Sequence, residues 1–467
     1  FDNFIHRAFP QAIYRLFHVD TQLGLDLSKH FSTKITNVVC LKPLLLNNDI
    51  NVSIPENLSP TAENARLLRS SLVVPVYVSL QLQLDKTVEK ITNLLLCYMP
   101  LMVGSSLTAG THIKKELTDD GYFVLNGQEK MLVAQEKKLD RAILVSGNRC
   151  IYKNPTVNPW WLEKDAEGFI SVNSKHGTSS VAYIFAFYDM DLTRVFPLSV
   201  RMETEALMNS VSPEECFAQF KKVFPHSSNV DISFLFGSKS RSLLDQLSYM
   251  CYSLKKGIDV YDRDHLQNKR VEMPCELLMT IAEKSLRRVS QSFQRRIVNY
   301  IEKNPTKNMV RGVQRALDAR VVTESFFYAL STGNFPSVGG IATGVAQQRS
   351  NYNFSSKLSQ ARRIHSGDEK RNILGQREVR GDHKGYLSPF DTQEGRSCGC
   401  SKSFAMLTTV SIEFDHSVIE TCLDENPVVE FLEHLCVDSY ALVFVNGIVS
   451  RQCKSTNDLV LLKNHIL

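Results

Sequence analysis

The sequence predicts an α+β multidomain protein, because helical and strand-like hydrophobic spacings alternate along it and two Asn-Gly pairs each sit between apolar runs. With 467 residues, 43% of them hydrophobic and 22% charged, the chain can bury substantial cores and divides into about three or more domains at roughly 150 residues each. Phe4 to Phe17 and Thr61 to Ser71 carry helical spacing, whereas Leu72 to Leu84 alternates β-branched and polar residues as a strand does. Gly121 to Gln135, GYFVLNGQEKMLVAQ, places two apolar runs around Asn126-Gly127, the pair favoured where both turn residues need positive φ, and so predicts a β-hairpin. Tyr440 to Val449 repeats the device around Asn446-Gly447, which predicts a second β-rich region. Glu276 to Ile301 reads as an amphipathic helix with Leu278, Ile281, Val289, Phe293, Ile297 and Tyr300 near one face. Arg287, Arg288, Arg295 and Arg296 lie largely off that face. Two readings fit these arginines equally, a solvated helix surface and nucleic-acid contact.

Bulk charge does not choose between them. A net charge of +5 from 54 basic and 49 acidic side chains is too mild to establish a nucleic-acid-binding class. The 11 cysteines are odd in number and scattered, with no CxxC pair and no His/Cys cluster at zinc spacing. This pattern favours free thiols in a reducing, intracellular compartment, cytoplasmic or nuclear. Cys398-Gly399-Cys400 reads as two structural thiols rather than a metal site. The longest apolar stretch, Leu94 to Val103, is far short of the roughly 20 residues that span a bilayer and contains Pro100, so no membrane role is predicted. Phe1 in place of an initiator methionine suggests a piece of a longer or processed product.

Enzymatic motifs are incomplete. Gly339-Gly340-Ile-Ala-Thr-Gly344 is glycine-rich, but no Lys-Ser/Thr follows in P-loop register and no clear strand precedes it. Asp189 with Asp191, and Asp262 with Asp264, have no evident third ligand and fit turns, where paired Asp residues are common. His265, His365 and His383 stand without a sequence-local nucleophile or carboxylate pair. No catalytic residue and no metal ligand is assigned. The segment from Arg377 to Met406 is more informative: its mixture of Arg, Lys, Gly and small polar residues cannot bury itself and fits a functional loop held by a larger scaffold.

Six collinear blocks give these features a family. The hairpin GYFVLNGQEKMLVAQE is followed by YDRDHLQNKRVEMPCELL from Tyr261 to Leu278, STGNF from Ser331 and ATGVAQQRSNYNFSSKLSQARR from Ala342. GYLSPFDTQEGRSCG from Gly385 and VFVNG from Val443 complete the set. FPLSVRM from Phe196 fits between them. Over about residues 95 to 450 the chain resembles the second-largest, β-type subunit of multisubunit DNA-directed RNA polymerases, closer to the eukaryotic and archaeal forms than to the bacterial one. It departs from the usual pattern at Asp391-Thr392-Gln393-Glu394, where the family has Glu, Pro and a second Glu, and at Lys384, a position often aromatic. Loss of the proline removes a φ restraint and loosens that turn. Such divergence fits a viral or extrachromosomal origin, with packaging in a virion as one location.

The resemblance implies protrusion, lobe, fork and the start of an external domain. Residues 1–138 and 269–333 would form the protrusion, 139–268 the lobe, 334–411 the fork and 412–467 the partial external domain. It also implies the N-terminal half of a β-type subunit that acts only in an assembled nucleotidyltransferase. The implied partners are the largest, β′-type subunit, the C-terminal half of the β-type subunit, the DNA template and the RNA transcript. Magnesium would be held mainly by the largest subunit and not by this chain. Holding an RNA–DNA hybrid and downstream duplex without reading sequence favours Arg and Lys on phosphates. The matching positions are Arg362, Arg363, Arg377, Arg380 and Lys384, with Lys130 and Gln135 approaching from the hairpin or serving as simple surface residues. Glu394, with Asp391, matches a fork positioning role through pairing with a neighbouring Arg; a buried structural ion pair is the other reading. Ser366 to Leu374 fits an exposed loop near strand separation. A catalytically inactive scaffold of the same family, binding nucleic acid or protein, is the alternative function.

Overall fold

The computed structural model describes residues 1–17, 19–22, 30–46, 58–84, 87–108, 120–139, 143–152, 160–174, 176–187, 198–212, 215–216, 218–219, 247, 249–254, 264–303, 309–337, 340–366, 374–411, 419, 421, 423, 429–431, 441–445 and 448–453. They fall into two compact units. One joins Phe1–Lys137 to Val271–Thr408, the other Lys138–Arg270 to Thr409–Leu467.

The first unit is built on the strand Ser71–Leu84, which pairs antiparallel with His30–Cys40 and Leu44–Leu46 on one side and Thr87–Pro100 on the other. Alternation holds only in part of it. Val74, Val76, Val78 and Leu80 share one core, while Leu72 joins a second core with Ala62, Ala65, Leu101, Val103, Tyr122 and Val124. Residues 72 to 74 are therefore buried in succession, because the strand's first turns are covered on both faces. Pro75 lies inside this central strand opposite Tyr98, although it has no N–H to donate. The ladder accommodates it: Tyr98 donates its backbone N–H to Thr323 Oγ1 at 2.9 Å, and Pro75 O accepts from Leu41 N at 3.2 Å.

Helices cover the larger core. Phe4–Ala8 begins as a wider helical turn and continues as an α-helix over Phe9–Leu16. The long helix Pro274–Lys303 buries Leu278, Ile281, Val289, Phe293 and Ile297, and half-buries Tyr300. Arg287, Arg288, Arg295 and Arg296 are exposed, so the stripe and its polar complement fall where the 3.6-residue period puts them. Helix Ala319–Thr332 is capped by Asp318, which accepts from Arg320 N, and is closed by Gly333 at φ +75°. Phe326 from this helix meets Phe4 and Phe9 edge-on at 6.3 Å.

The hairpin pairs Phe123–Leu125 with Gln128–Leu132, Leu125 standing opposite Gln128. Asn126 at φ +49° and Gly127 at φ +76° form the two-residue turn. The second strand ends at Leu132, earlier than the sequence implied. Val133 donates to Val345 O at 2.9 Å, and Ala134–Lys138 enters a different sheet, pairing parallel with Arg363–Ser366. The apolar run continued past the hairpin because it serves two sheets in succession.

The second unit contains a five-stranded antiparallel meander over Ile143–Ser146, Arg149–Tyr152, Trp160–Lys164, Ile170–Ser174 and Thr178–Ser180. Its core gathers Cys150, Trp160, Leu162, Phe185, Val200, Met250 and Cys251. Val429–Phe431, Ala441–Val445 and Ile448–Cys453 form a three-stranded sheet in which Val445 stands opposite Ile448, while Asn446-Gly447 lies outside the described residues. Cys40, Cys97, Cys150, Cys216, Cys251 and Cys398 are free thiols. Burial pushes the Cys150 thiol up to about 12. Among the described residues no helix is long and apolar enough to cross a membrane.

The hairpin tip makes a direct test of this packing. Asn126 N donates to Ser71 Oγ at 2.9 Å, Gly127 N donates to Ser70 O at 3.0 Å, and a Cβ on Gly127 would stand 2.9 Å from Arg69 Cα. Gly127→Val should cost roughly 2–4 kcal/mol, since left-handed backbone strain adds to a clash with main chain. Asn126→Gly, which relaxes the same turn, should stay within about 1 kcal/mol of the parent. Chemical denaturation of the two variants provides the comparison, and equal midpoints would contradict the docked turn.

Candidate nucleic-acid interface

A buried carboxylate ties the hairpin to the segment that carries the candidate residues. Glu129 is 6% exposed and accepts from Arg66 Nη1 at 2.7 Å, Asn351 Nδ2 at 2.8 Å and Arg349 Nη1 at 3.4 Å. The Arg349 guanidinium also lies 4.2 Å from the centre of the Tyr122 ring. Strand pairing brings these groups together: Ala346–Gln348 runs antiparallel to Gln128–Leu132, with Gln348 opposite Lys130, and Arg349 N donates to Glu129 O at 3.1 Å. None of this cluster was assigned from sequence. Its members occupy separate motif blocks or stand outside them, as Arg66 does, and no local spacing links them.

From Asn351 the chain turns into helix Phe354–Ala361, where Asn353 caps by accepting from Ser356 N at 2.7 Å. Buried Gln360 braces the entry, accepting from Ser350 N at 2.7 Å and donating to Gln348 O at 2.9 Å. Arg362 and Arg363 follow as the helix becomes a strand, and they take different roles. The Arg362 guanidinium donates to Ala405 O, and its Nε is buried without a hydrogen-bond partner. Arg362 is thus a brace between two segments, with little of its charge available to a ligand. Half-buried Arg363, opposite Ser403, has no ion-pair partner among the described residues. A second buried pair locks this sheet: Lys402 Nζ lies 3.2 Å from Glu136 Oε2, each side chain below one-tenth exposed.

The loop region beyond is organised by Arg377 and Thr392. Arg377 Nη1 donates to Arg396 O at 2.6 Å and to Cys398 O at 2.8 Å, which makes this predicted phosphate ligand a clamp on the 395–399 turn. Gly399 is required there, at φ +75° and with Arg377 O 2.5 Å from where a Cβ would sit. Thr392 Oγ1 accepts from Gly399 N at 3.0 Å and donates to Ser401 O at 2.7 Å, holding the turn that lacks a proline at Gln393. Arg380 Nε lies 3.3 Å from Asp382 Oδ1, whereas Lys384 is exposed. Asp391 and Glu394 are exposed as well. Glu394 forms no ion pair among the described residues, so neither the pairing with a neighbouring Arg nor the buried ion pair is made; Arg377 is already engaged by carbonyls. Gln135 bends back to Val133 O at 2.9 Å, and half-buried Lys130 stands opposite Phe123 and Gln348.

The groups that remain are of two kinds. Half-buried Arg363 and exposed Lys384 and Arg396 supply positive charge, Arg396 being a residue that sequence reasoning did not single out. Tyr352, Phe354, Tyr386 and Phe390 present aromatic faces, Tyr352 and Phe390 more than nine-tenths exposed. Aromatic residues among unpaired cations suit stacking of unpaired bases beside phosphate contacts. Most of Ser366 to Leu374 lies outside the described residues, as do Asp189, Asp191 and Asp262. Among the described residues no group of three or more His, Cys, Asp or Glu is placed to hold a metal ion.

This architecture has relatives. The family described as "RNA polymerase beta subunit" matches residues 1–324, and "RNA polymerase Rpb2, domain 3" matches residues 347–410. The chain belongs to the RNA polymerase beta subunit family. It is 25% identical to DNA-directed RNA polymerase subunit Rpo2 of Sulfolobus acidocaldarius, over 92% of this chain and 41% of that protein. It is 31% identical to the RNA polymerase II subunit RPB2 of Encephalitozoon cuniculi over 40% of this chain and 17% of the relative. Against Rpo2N of Methanococcus vannielii the identity is 22%, covering 90% of this chain and 93% of the relative. The chain therefore spans less than half of the first two proteins and nearly all of the third.

Removing the central carboxylate should expose its structural weight. Glu129→Ala leaves Arg349 buried without its partner and should cost roughly 3–5 kcal/mol. Arg349→Met in that background should recover part of the loss. A double-mutant cycle on denaturation midpoints measures the coupling, and additive losses would remove the ion pair from the account.

Proposed function

We propose that this chain is a non-catalytic part of a multisubunit DNA-directed RNA polymerase, where it holds the RNA–DNA hybrid and downstream DNA during template-directed synthesis. The observation that carries the reading is the loop region between Arg363 and Ser403. Half-buried Arg362 and Arg377 and buried Lys402 brace it, yet Arg363, Lys384 and Arg396 have no counter-charge among the described residues. Family membership supplies the context, and the chemistry fits sequence-independent phosphate contact. In this proposal residues 334–411 are the fork, 1–138 with 269–333 the protrusion, 139–268 the lobe and 412–467 the beginning of an external domain. The partners are a β′-type largest subunit, which carries the magnesium, and the remaining C-terminal sequence of a β-type subunit. Template and transcript complete the assembly, in the cytoplasm or nucleus. Glu394, exposed and without a side-chain hydrogen bond or ion pair among the described residues, serves as an acceptor for a partner's cation or an incoming donor.

Two measurements test this reading. The purified chain alone, given template, four nucleotides and magnesium, should make no template-dependent RNA; synthesis by this polypeptide alone would overturn the subunit assignment. In the assembled polymerase, Arg363→Ala with Lys384→Ala should shorten elongation-complex lifetime, and increasingly so as salt rises. Arg362→Ala should instead lower thermal stability, because it breaks the contact to Ala405. Lifetimes unaffected across a salt series in a normally assembled Arg363/Lys384 variant would return those residues to the solvated surface.

A further inference from the structure

The long helix Pro274–Lys303 carries a second concentration of positive charge, separate from the loops around Arg363. Lys284, Arg287, Arg288 and Arg295 are exposed and have no hydrogen-bond or ion-pair partner among the described residues. Their spacing of three, four and seven places puts them on one side of the helix. Between Lys284 and Arg295 the exposed positions hold no acidic residue. The nearby carboxylates are already engaged: Glu283 by Arg15, and Asp318 by Arg296 at 3.6 Å. A groove of about 530 Å³ runs beside the same row, lined by Gln291, Gln294, Arg295, Val298 and Asn299.

We propose that this helix face binds a phosphodiester backbone, as a nucleic-acid contact additional to the one proposed for the fork. At 1.5 Å per residue the row from Lys284 to Arg295 spans about 16 Å. That length corresponds to about five phosphates along one strand of a duplex, against four unpaired cations. The amides of Gln291, Gln294 and Asn299 add donors for phosphate oxygens without adding negative charge. The face lacks the buried aromatic and aliphatic anchors that dominate protein–protein contacts, since Val298 is the one apolar residue lining the groove. A charged polymer backbone needs no such anchor. The contact reads phosphates and not bases, so it is indifferent to sequence.

Binding of the full chain to a fluorescein-labelled 20-base-pair duplex and to a 20-nucleotide single-stranded RNA, each followed between 50 and 200 mM salt, provides the test. Arg288→Gln with Arg295→Gln should reduce the slope of log K against log salt by about 1.8 if duplex is the source, or about 1.4 for single strands. Arg288→Lys with Arg295→Lys should retain the parental slope, and equal melting temperatures for the two variants separate charge from folding. Lys34→Gln with Lys90→Gln, exposed lysines on the sheet of the same unit, should leave both slopes unchanged. The Arg363/Lys384 variant distinguishes the two proposals: the helix variant must lose slope even where that variant does not. An unaltered slope with both nucleic acids in a folded Arg288/Arg295 Gln variant overturns the inference. So does binding by this face of polyglutamate alone, which would assign it to an acidic protein.

Discussion

The carboxylate of Glu129 is the interaction on which the rest of the first unit depends. It lies in a β-hairpin, accepts from three side chains that arrive from two other regions, and is nearly sealed from solvent. Taking such charges out of water is costly, and it is offset only when geometry and hydrogen bonding are both good. Here the two arginines differ in exposure: Arg349 is sealed in and stacked on Tyr122, whereas Arg66 remains 41% exposed. The arrangement fixes which strand the 346–348 segment can pair with, because a shifted register would bury Arg349 away from its partner. It gives one answer where hydrophobic packing alone would tolerate several.

That register decides where the candidate ligands emerge. The helix capped by Asn353 starts five residues after Arg349, and its last turn delivers Arg362 and Arg363 to the sheet containing Ser401–Ser403. Positive charge is then divided between bracing and display. Arg362 and Arg377 spend their donors on main-chain carbonyls, while Arg363, Lys384 and Arg396 do not. Held loops with displayed cations suit a surface that must track a moving polymer backbone, since the contacts have to be equivalent at every position along it.

Much of this was legible in the sequence, and the gaps have physical causes. The Asn126-Gly127 turn and the long amphipathic helix were readable because their signals are local: a positive-φ requirement at two adjacent residues, and a 3.6-residue period over many turns. The end of the hairpin at Leu132 was not, because strand spacing is the same whether the partner lies in one sheet or the next. Arg362 and Arg377 illustrate the limit at the site. Composition marks an arginine as cationic, but whether its guanidinium faces solvent or a carbonyl depends on segments 19 to 43 residues away. Glu394 was expected to pair because it matches a fork carboxylate of the family, yet it is exposed and forms no ion pair among the described residues. The exposed aromatics could have been suspected, since Tyr352 and Phe390 interrupt polar segments with no apolar period around them.

The single residue between Leu132 and Ala134 constrains how this region can change over evolutionary time. Val133 is all the chain has for crossing from the hairpin sheet to the one containing Arg363–Ser366. Inserting or deleting one residue there would turn every following side chain to the opposite face, placing Glu136 away from Lys402. Substitution is open to this stretch, but change of length is closed, so gain and loss of residues must be absorbed elsewhere. The spacing between Glu129 and Glu136 is thus a fixed interval, and its two ends hold the buried Arg349–Glu129 and Lys402–Glu136 pairs at a set separation.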